Sequence, residues 1–346
     1  MFPEEVIITQ NINTLLLDLS LETNYSNIAV LVDENTSQYC LPIIEKNLPD
    51  FQLIKINSGE ENKTLDTCSF IWHELTRLKF DRKSLLINLG GGVIGDMGGF
   101  CASTYKRGID FVNIPTTLLA QVDASVGGKL GIDFEGFKNH IGVFRKPDCV
   151  IIDSCFLNTL PEREIRSGFA EVIKHSLIAD ESYWEKLIQK DFYHQEWFDI
   201  IQHSVALKKN VVKKDPTEKN IRKILNFGHT IGHAIETYYL NKKENRLLHG
   251  EAIAIGMICE TYLSSTILDL PESSVKEIED YIIAQYGKSS IEKDEIKEIV
   301  ELCSQDKKNE NELINFSLLE NIGNAVFNKF VEQDLITKAI LKYREI

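Results

Sequence analysis

Imidazoles, one carboxylate, a glycine run and a set of cations stand at spacings in this chain that could do chemistry together. In LNFGHTIGHAIE, His229 and His233 are four residues apart and so share one helical face. That suits two metal ligands, or one metal ligand beside a general base. His249, in LHGEA at a helix start, is a third candidate, and Glu171, in GFAEVIKH, adds a carboxylate. Two imidazoles and one carboxylate with a position left open is the composition of a catalytic zinc site rather than a structural one. Glu251 could instead serve as an outer partner of a ligand. His73, His140, His194 and His203 lack a companion at metal-ligand spacing and read as non-ligands. His175 lies four residues after Glu171, but Lys174 beside it is the better candidate for facing substrate.

The glycines form a second signal. LLINL runs straight into Gly90, Gly91 and Gly92, then VIGD to Asp96, then a helix that includes Gly98 and Gly99. Glycines at a strand end let backbone N–H groups approach a pyrophosphate, and the helix N-terminus adds favourable partial charge. The run is not the GxGxxG fingerprint, and a tight turn is the plainer reading of such a cluster alone. Asp33, ending IAVLVD, supplies a carboxylate that could accept hydrogen bonds from ribose hydroxyls, and Asn35 follows two residues later. Around these segments gather Arg107, Lys129, Lys138, Asn139, Lys174, Lys208, Arg222, Asn226 and Lys307 or Lys308. Cations beside neutral amides are what a phosphate and a carboxylate on one small molecule require.

These groups need elements to hold them. The first part alternates strand-like runs with helical ones: Ile28 to Val32, Gln52 to Ile56, Leu85 to Leu89, Phe111 to Ile114 and Val150 to Asp153, with a capped helical pattern over Thr64 to Leu78. That is the βαβ signature of a parallel sheet, a Rossmann-like α/β domain over residues 1–155. Beyond about Pro161 strand signals largely stop, and residues 156–346 read as a mainly α-helical domain for metal and substrate. A cleft between the two is the expected site.

Composition excludes several classes. The formal charge of −14 argues against a nucleic-acid binder, which needs a basic footprint. It also makes clustered cations more informative, because they hold an anion against the overall field. MFPEEVIITQ does not read as a signal peptide, and no run approaches the roughly 18 apolar residues of a membrane span, so a cytoplasmic protein without membrane partners is expected. Seven scattered cysteines, never spaced CxxC, read as reduced thiols.

With those segments in hand, the chain resembles the 3-dehydroquinate synthases of the sugar-phosphate cyclase superfamily. The likeness runs from about Asp33 to Lys308 and is densest in GGGVIGDMGGFCASTYKRGIDFVNIPTTLLAQVDASVGGKLGID, KNHIGVF, LPEREIRSGFAEVIKH, LNFGHTIGHAIE and LHGEA. The resemblance implies that Asp33, Asn35, Glu60, Lys63, Gly91, Gly92, Asp96, Thr116, Thr117, Lys129, Lys138, Thr159 and Glu164 hold NAD. It implies that Glu171, His229 and His249 bind zinc, which cobalt sometimes replaces. Asp123, Lys129, Asn139, Lys174, Lys208, Arg222, Asn226, His233 and Lys307 or Lys308 would line the substrate site, with His233 relaying a hydroxyl proton. Arg107 would reach across the interface of a homodimer. The implied reaction converts 3-deoxy-D-arabino-heptulosonate 7-phosphate to 3-dehydroquinate and phosphate, a step of the shikimate pathway. The competing expectations are a metal-dependent polyol dehydrogenase, a sister cyclase whose substrate has no carboxylate, and a dinucleotide-binding module without catalysis.

Overall fold

The computed structural model describes residues 2, 5–19, 25–135, 137–240, 242, 246–304 and 313–346. They fall into two compact units, one of Met1–Ile165 with Trp197–Val205, the other of Arg166–Glu196 with Ala206–Ile346. The first unit thus runs about ten residues past the expected break near 155 and takes in part of a later helix.

In the first unit a six-stranded sheet is built from β1 (Val6–Thr9), β2 (Ile28–Val32), β3 (Gln52–Lys55), β4 (Leu85–Gly90), β5 (Asp110–Pro115) and β8 (Cys149–Asp153), in the order β1-β8-β5-β4-β2-β3. Every pairing in it is parallel. A parallel sheet is covered on both faces, so its central strands read as unbroken apolar runs, and β2, β4 and β8 are buried throughout. Alternate side chains serve opposite layers. Leu31, Leu86 and Phe111 pack with the helices Leu65–Arg77 and Gly92–Thr104, whereas Val30, Ile87 and Val112 face the other core. The strand order brings the ends of β2, β4 and β5 to one edge of the sheet, so Asp33, the Gly90–Gly92 turn and Thr116 emerge there. An antiparallel pair, β6 (Lys129–Phe134) and β7 (Phe137–Phe144), accompanies the sheet.

The second unit is chiefly helical, with the helices His229–Leu240, His249–Leu268, Glu272–Tyr286, Ile296–Ser304 and Gln333–Glu345. It also contains an antiparallel hairpin, β9 (Ile314–Asn321) and β10 (Asn324–Val331), where the sequence reading expected little strand. Polar residues and a register irregularity in β10 obscure its alternation. The helix His249–Leu268 is long and apolar enough, by length and composition, to cross a membrane. However, 67% of its apolar window is buried inside the protein, which makes it a core helix here, apolar all round because neighbours surround it.

Candidate active site

In the first unit the glycine turn closes β4 and opens the helix Gly92–Thr104, whose N-cap residue, Gly91, brings no side chain to its first-turn N–H groups. A Cβ on Gly91 would stand 3.0 Å from Thr117 Cγ2, and one on Gly98 would stand 2.0 Å from Asn88 Oδ1, so glycine lets the helix sit directly on the sheet. A pocket opens at this turn, with Gly91, Gly92, Asp96 and Lys129 in its lining. Its floor includes a buried amide pair, Asn88 Nδ2 donating to Asn113 Oδ1 at 2.8 Å across neighbouring strands.

Beside the pocket, Lys63 is 3% exposed and donates to Asp96 Oδ2 at 2.7 Å and to Asn139 Oδ1 at 2.6 Å. Burial alone would lower its pKa, but the carboxylates of Asp96 and Glu60 outweigh burial and raise it, so the ammonium stays charged. Lys138 Nζ lies 3.9 Å from Glu60 Oε1. Asn139 adopts the left-handed conformation, φ 49°, which asparagine tolerates, and Asp133 Oδ1 accepts its backbone N–H at 2.7 Å. Asp133 was not anticipated from sequence. Asp33 is partly engaged as the cap of its helix, accepting the N–H of Thr36 at 2.7 Å through Oδ1.

The second unit gathers the metal candidates. Glu171 is fully buried, and its Oε1 lies 3.3 Å from His229 Nε2 and 3.2 Å from His249 Nε2. The donor atoms of all three lie within 4.8 Å of one another. Each imidazole is turned by a partner on its other nitrogen. The carbonyl of Phe227 stands 3.0 Å from His229 Nδ1, and Glu236 Oε2 stands 3.3 Å from His249 Nδ1. Burial and the Lys174 ammonium lower the pKa of His229, which favours the neutral ring; with its proton on Nδ1 toward the carbonyl, that ring would turn its Nε2 lone pair to a carboxylate oxygen. Two electron-rich atoms that close fit a shared cation. Burial also opposes charge on Glu171, yet the Lys174 ammonium holds its pKa well below the usual range, so an anionic ligand is kept in place. His249 is desolvated as well, but its contacts with Glu171 and Glu236 lift its pKa to about 10. The donor set therefore fits a divalent ion.

Outside the donor set, His233 is exposed on the same helical face, its ring centroid 5.0 Å from that of His229 and 5.8 Å from that of His249. Glu251 accepts the N–H of Leu248 at 2.7 Å, fixing the start of its own helix, while the group at His249 Nδ1 is Glu236. The spacing could have revealed Glu236, which stands seven residues after His229 and hence on the same face.

Lys174, Lys208 and Arg222 are each at most 5% exposed. Lys174 pairs with Glu171 Oε2. Arg222 donates to the carbonyl of Pro216 at 2.8 Å, and Asn226 Nδ2 donates to Glu218 Oε1 at 2.7 Å. Asp215 organises this loop by accepting the N–H groups of Lys219, Asn220 and Arg222 at 3.0, 2.7 and 3.1 Å. Asp215 and Glu218 escaped the sequence reading because loop contacts carry no periodic signal.

Other expected residues are not gathered at the glycine pocket. Asn35 and Thr159 are exposed, Glu164 is half-buried near a helix start, and Thr116 is buried behind the turn. Asp123 is half-buried in a π-helical turn at Ala120–Ala124. Arg107 is exposed in a turn where it, Lys106 and Gly108 all have positive φ. Lys307 and Lys308 lie outside the described residues.

A parallel-sheet unit followed by a chiefly helical unit is the class of fold that solved sugar-phosphate cyclases share. A 2-epi-5-epi-valiolone synthase from Streptomyces hygroscopicus subsp. jinggangensis, solved with NAD+ and Zn2+, superposes with a TM-score of 0.85 at 25% identity, covering 100% of this chain and 98% of that one. A 2-deoxy-scyllo-inosose synthase, solved with carbaglucose-6-phosphate, NAD+ and Co2+, gives 0.83 at 23% identity over 98% of this chain and 96% of that one. Within the class, the chain belongs to the 3-dehydroquinate synthase family. Models of the N-terminal and C-terminal parts of 3-dehydroquinate synthase match residues 53–167 and 168–309. The 3-dehydroquinate synthase of Parabacteroides distasonis is 40% identical over 100% of this chain and 99% of its own length.

Proposed function

We propose that this chain converts 3-deoxy-D-arabino-heptulosonate 7-phosphate to 3-dehydroquinate and phosphate, using NAD and a divalent ion, zinc or cobalt. The observation that carries this reading is the convergence of His229 and His249 on one oxygen of the buried Glu171. Family membership supplies the substrate. When bound, NAD offers a reversible hydride acceptor and the ion a Lewis acid at the reacting oxygen, which permits phosphate loss and ring closure without net oxidation.

The protein's own residues divide the remaining work. Gly91, Gly92 and Asp96 border the dinucleotide pocket, with Asp33, Asn35, Glu60, Lys63, Thr116, Thr117, Lys138, Thr159 and Glu164 assigned to the same cofactor by family resemblance. Lys63 keeps Asp96 and Asn139 in place together. Lys129 and Arg107 serve the phosphate, Arg107 from the other subunit of a homodimer, and Lys208, Arg222, Asn139 and Asn226 serve the carboxylate and hydroxyls. Asp123, Lys174 and Lys307 or Lys308 complete the substrate set. His233, exposed beside both ligand imidazoles, holds and passes a hydroxyl proton. In this scheme the first unit is the NAD-binding domain, the second binds metal and substrate, and the protein works in the cytoplasm.

The test is phosphate release from that substrate with catalytic NAD, before and after chelation, while NADH is followed. Chelator-sensitive release without net NADH is expected. Stoichiometric NADH would mean a dehydrogenase, and no release would mean a different substrate or a non-catalytic binder.

A further inference from the structure

The three candidate ligands sit on three different helices, so their geometry depends on how those helices are fixed to one another. The helices beginning at His229 and His249 follow Gly228 and Leu248, neither of which has a polar side chain to cap the exposed N–H groups. Both starts receive a cap from a neighbouring helix, the His249 start in addition to Glu251 of its own helix, which accepts the N–H of Leu248. Ser167, 2% exposed and one turn before Glu171, accepts the N–H of Gly250 at 2.9 Å, immediately after His249. Glu260, 0% exposed on the His249 helix, accepts the N–H of Gly228 at 2.6 Å through Oε2 and that of Ile231 at 3.1 Å through Oε1, so its two bonds bracket His229.

Backbone contact makes these caps short-range and rigid. A Cβ on Gly250 would fall 1.9 Å from the carbonyl oxygen of Ser167, and one on Gly256 would fall 2.0 Å from the carbonyl oxygen of Gly228. Each cap therefore spans a contact with no side chain in between. The Glu171 helix fixes the His249 helix, and the His249 helix fixes the His229 helix.

We propose that Ser167 and Glu260 are positioning residues of the metal centre, holding His249 and His229 in register with Glu171 by capping each ligand helix from its neighbour. The proposal rests on the reading that Glu171, His229 and His249 hold the metal. Groups that orient ligands without touching the ion typically change metal affinity about 10–100-fold when removed. Ser167→Ala and Glu260→Gln should weaken zinc binding by about that factor, measured by competition with a chromogenic chelator. They should also alter the visible absorption bands of the cobalt-loaded protein, with Ser167→Thr restoring both readouts. If Glu260→Gln does not fold, the Ser167→Ala and Ser167→Thr pair decides alone. A parent protein that binds no zinc would sink the ligand assignment. A parent that binds one equivalent, with Ser167→Ala matching its affinity and cobalt spectrum, would overturn this inference.

Discussion

Adding a divalent ion to the metal-free protein should expel one proton, and His249 sets the pH range. Its pKa stands at about 10 because Glu171 and Glu236 take up both ring nitrogens, outweighing the burial that would lower it. At pH 8 the ring is therefore about 99% imidazolium. Glu171 is already ionised, and His229, held below its ordinary pKa, is already neutral, so neither has a proton to give. The incoming ion must displace the proton on His249 Nε2, leaving Nδ1–H on Glu236. Zinc titrations in buffers of different ionisation enthalpy should report about one proton released per ion at pH 8, and the apparent association constant should rise about tenfold per pH unit between pH 7 and 9. Stability follows the same linkage. A pKa raised by folding stabilises the metal-free protein fully below about pH 6.5, and this is lost as pH climbs to 10; the upper bound is about 5 kcal/mol at 1.36 kcal/mol per unit. Metal loading should flatten that loss. A titration at pH 8 with no proton released, or an affinity indifferent to pH, would refute the reasoning.

Three further outcomes are expected. His233→Ala should keep stoichiometric metal at Glu171, His229 and His249 while losing roughly 10²–10⁴-fold in turnover, the range for a positioned acid–base group, since this residue is not one of those three, although its donor atom also lies within 4.8 Å of those of Glu236 and His249; parental turnover would remove it from the proton relay. Lys63→Met strips Asp96 of a buried ammonium, which should cost roughly 2–4 kcal/mol because Asp96 keeps some solvent, and NAD affinity should fall in calorimetry. Unchanged thermal midpoint and unchanged NAD affinity together would contradict this. Gly256→Ala drives a methyl onto the carbonyl of Gly228 and should cost at least about 3 kcal/mol with loss of metal, whereas Gly287→Ala meets no atom within 4 Å and should cost about 1–3 kcal/mol of backbone strain with metal retained. Thermal melts and metal content on the two variants separate close packing from strain.

Much of this was legible in the sequence for a physical reason. Buried parallel strands must be continuous apolar runs, so β2, β4, β5 and β8 announced themselves within a residue or two of their ends. The i and i+4 spacing tied His229 to His233 on one face, whereas the grouping of His229 with Glu171 and His249 came from the family resemblance, since no short spacing links them. Long-range contacts left no such trace. Asp133 reaches the bend at Asn139 across the β6–β7 hairpin, and Glu260 reaches Gly228 from a helix 32 residues later, so neither partner could be inferred from spacing. The hairpin β9–β10 was missed because its register irregularity breaks the period of two.

The net charge of −14 and a doubly anionic substrate are reconciled by where the cations lie. Lys63, Lys174, Lys208 and Arg222 are each at most 5% exposed, although lysine and arginine are almost never buried without a function or a partner. In a surrounding of low effective dielectric one such charge acts far more strongly on a neighbouring anion than a solvated one does. The same burial would be ruinous without compensation, and the structure supplies it. Asp96 and Asn139 hold Lys63, Glu171 holds Lys174, and the carbonyl of Pro216 takes a guanidinium N–H of Arg222. An acidic exterior therefore does not oppose the reading. The four cations are screened from water, and Lys63, Lys174 and Arg222 are fixed by the partners just named, so the field near them is set by geometry within a few ångströms and not by the total charge of the chain.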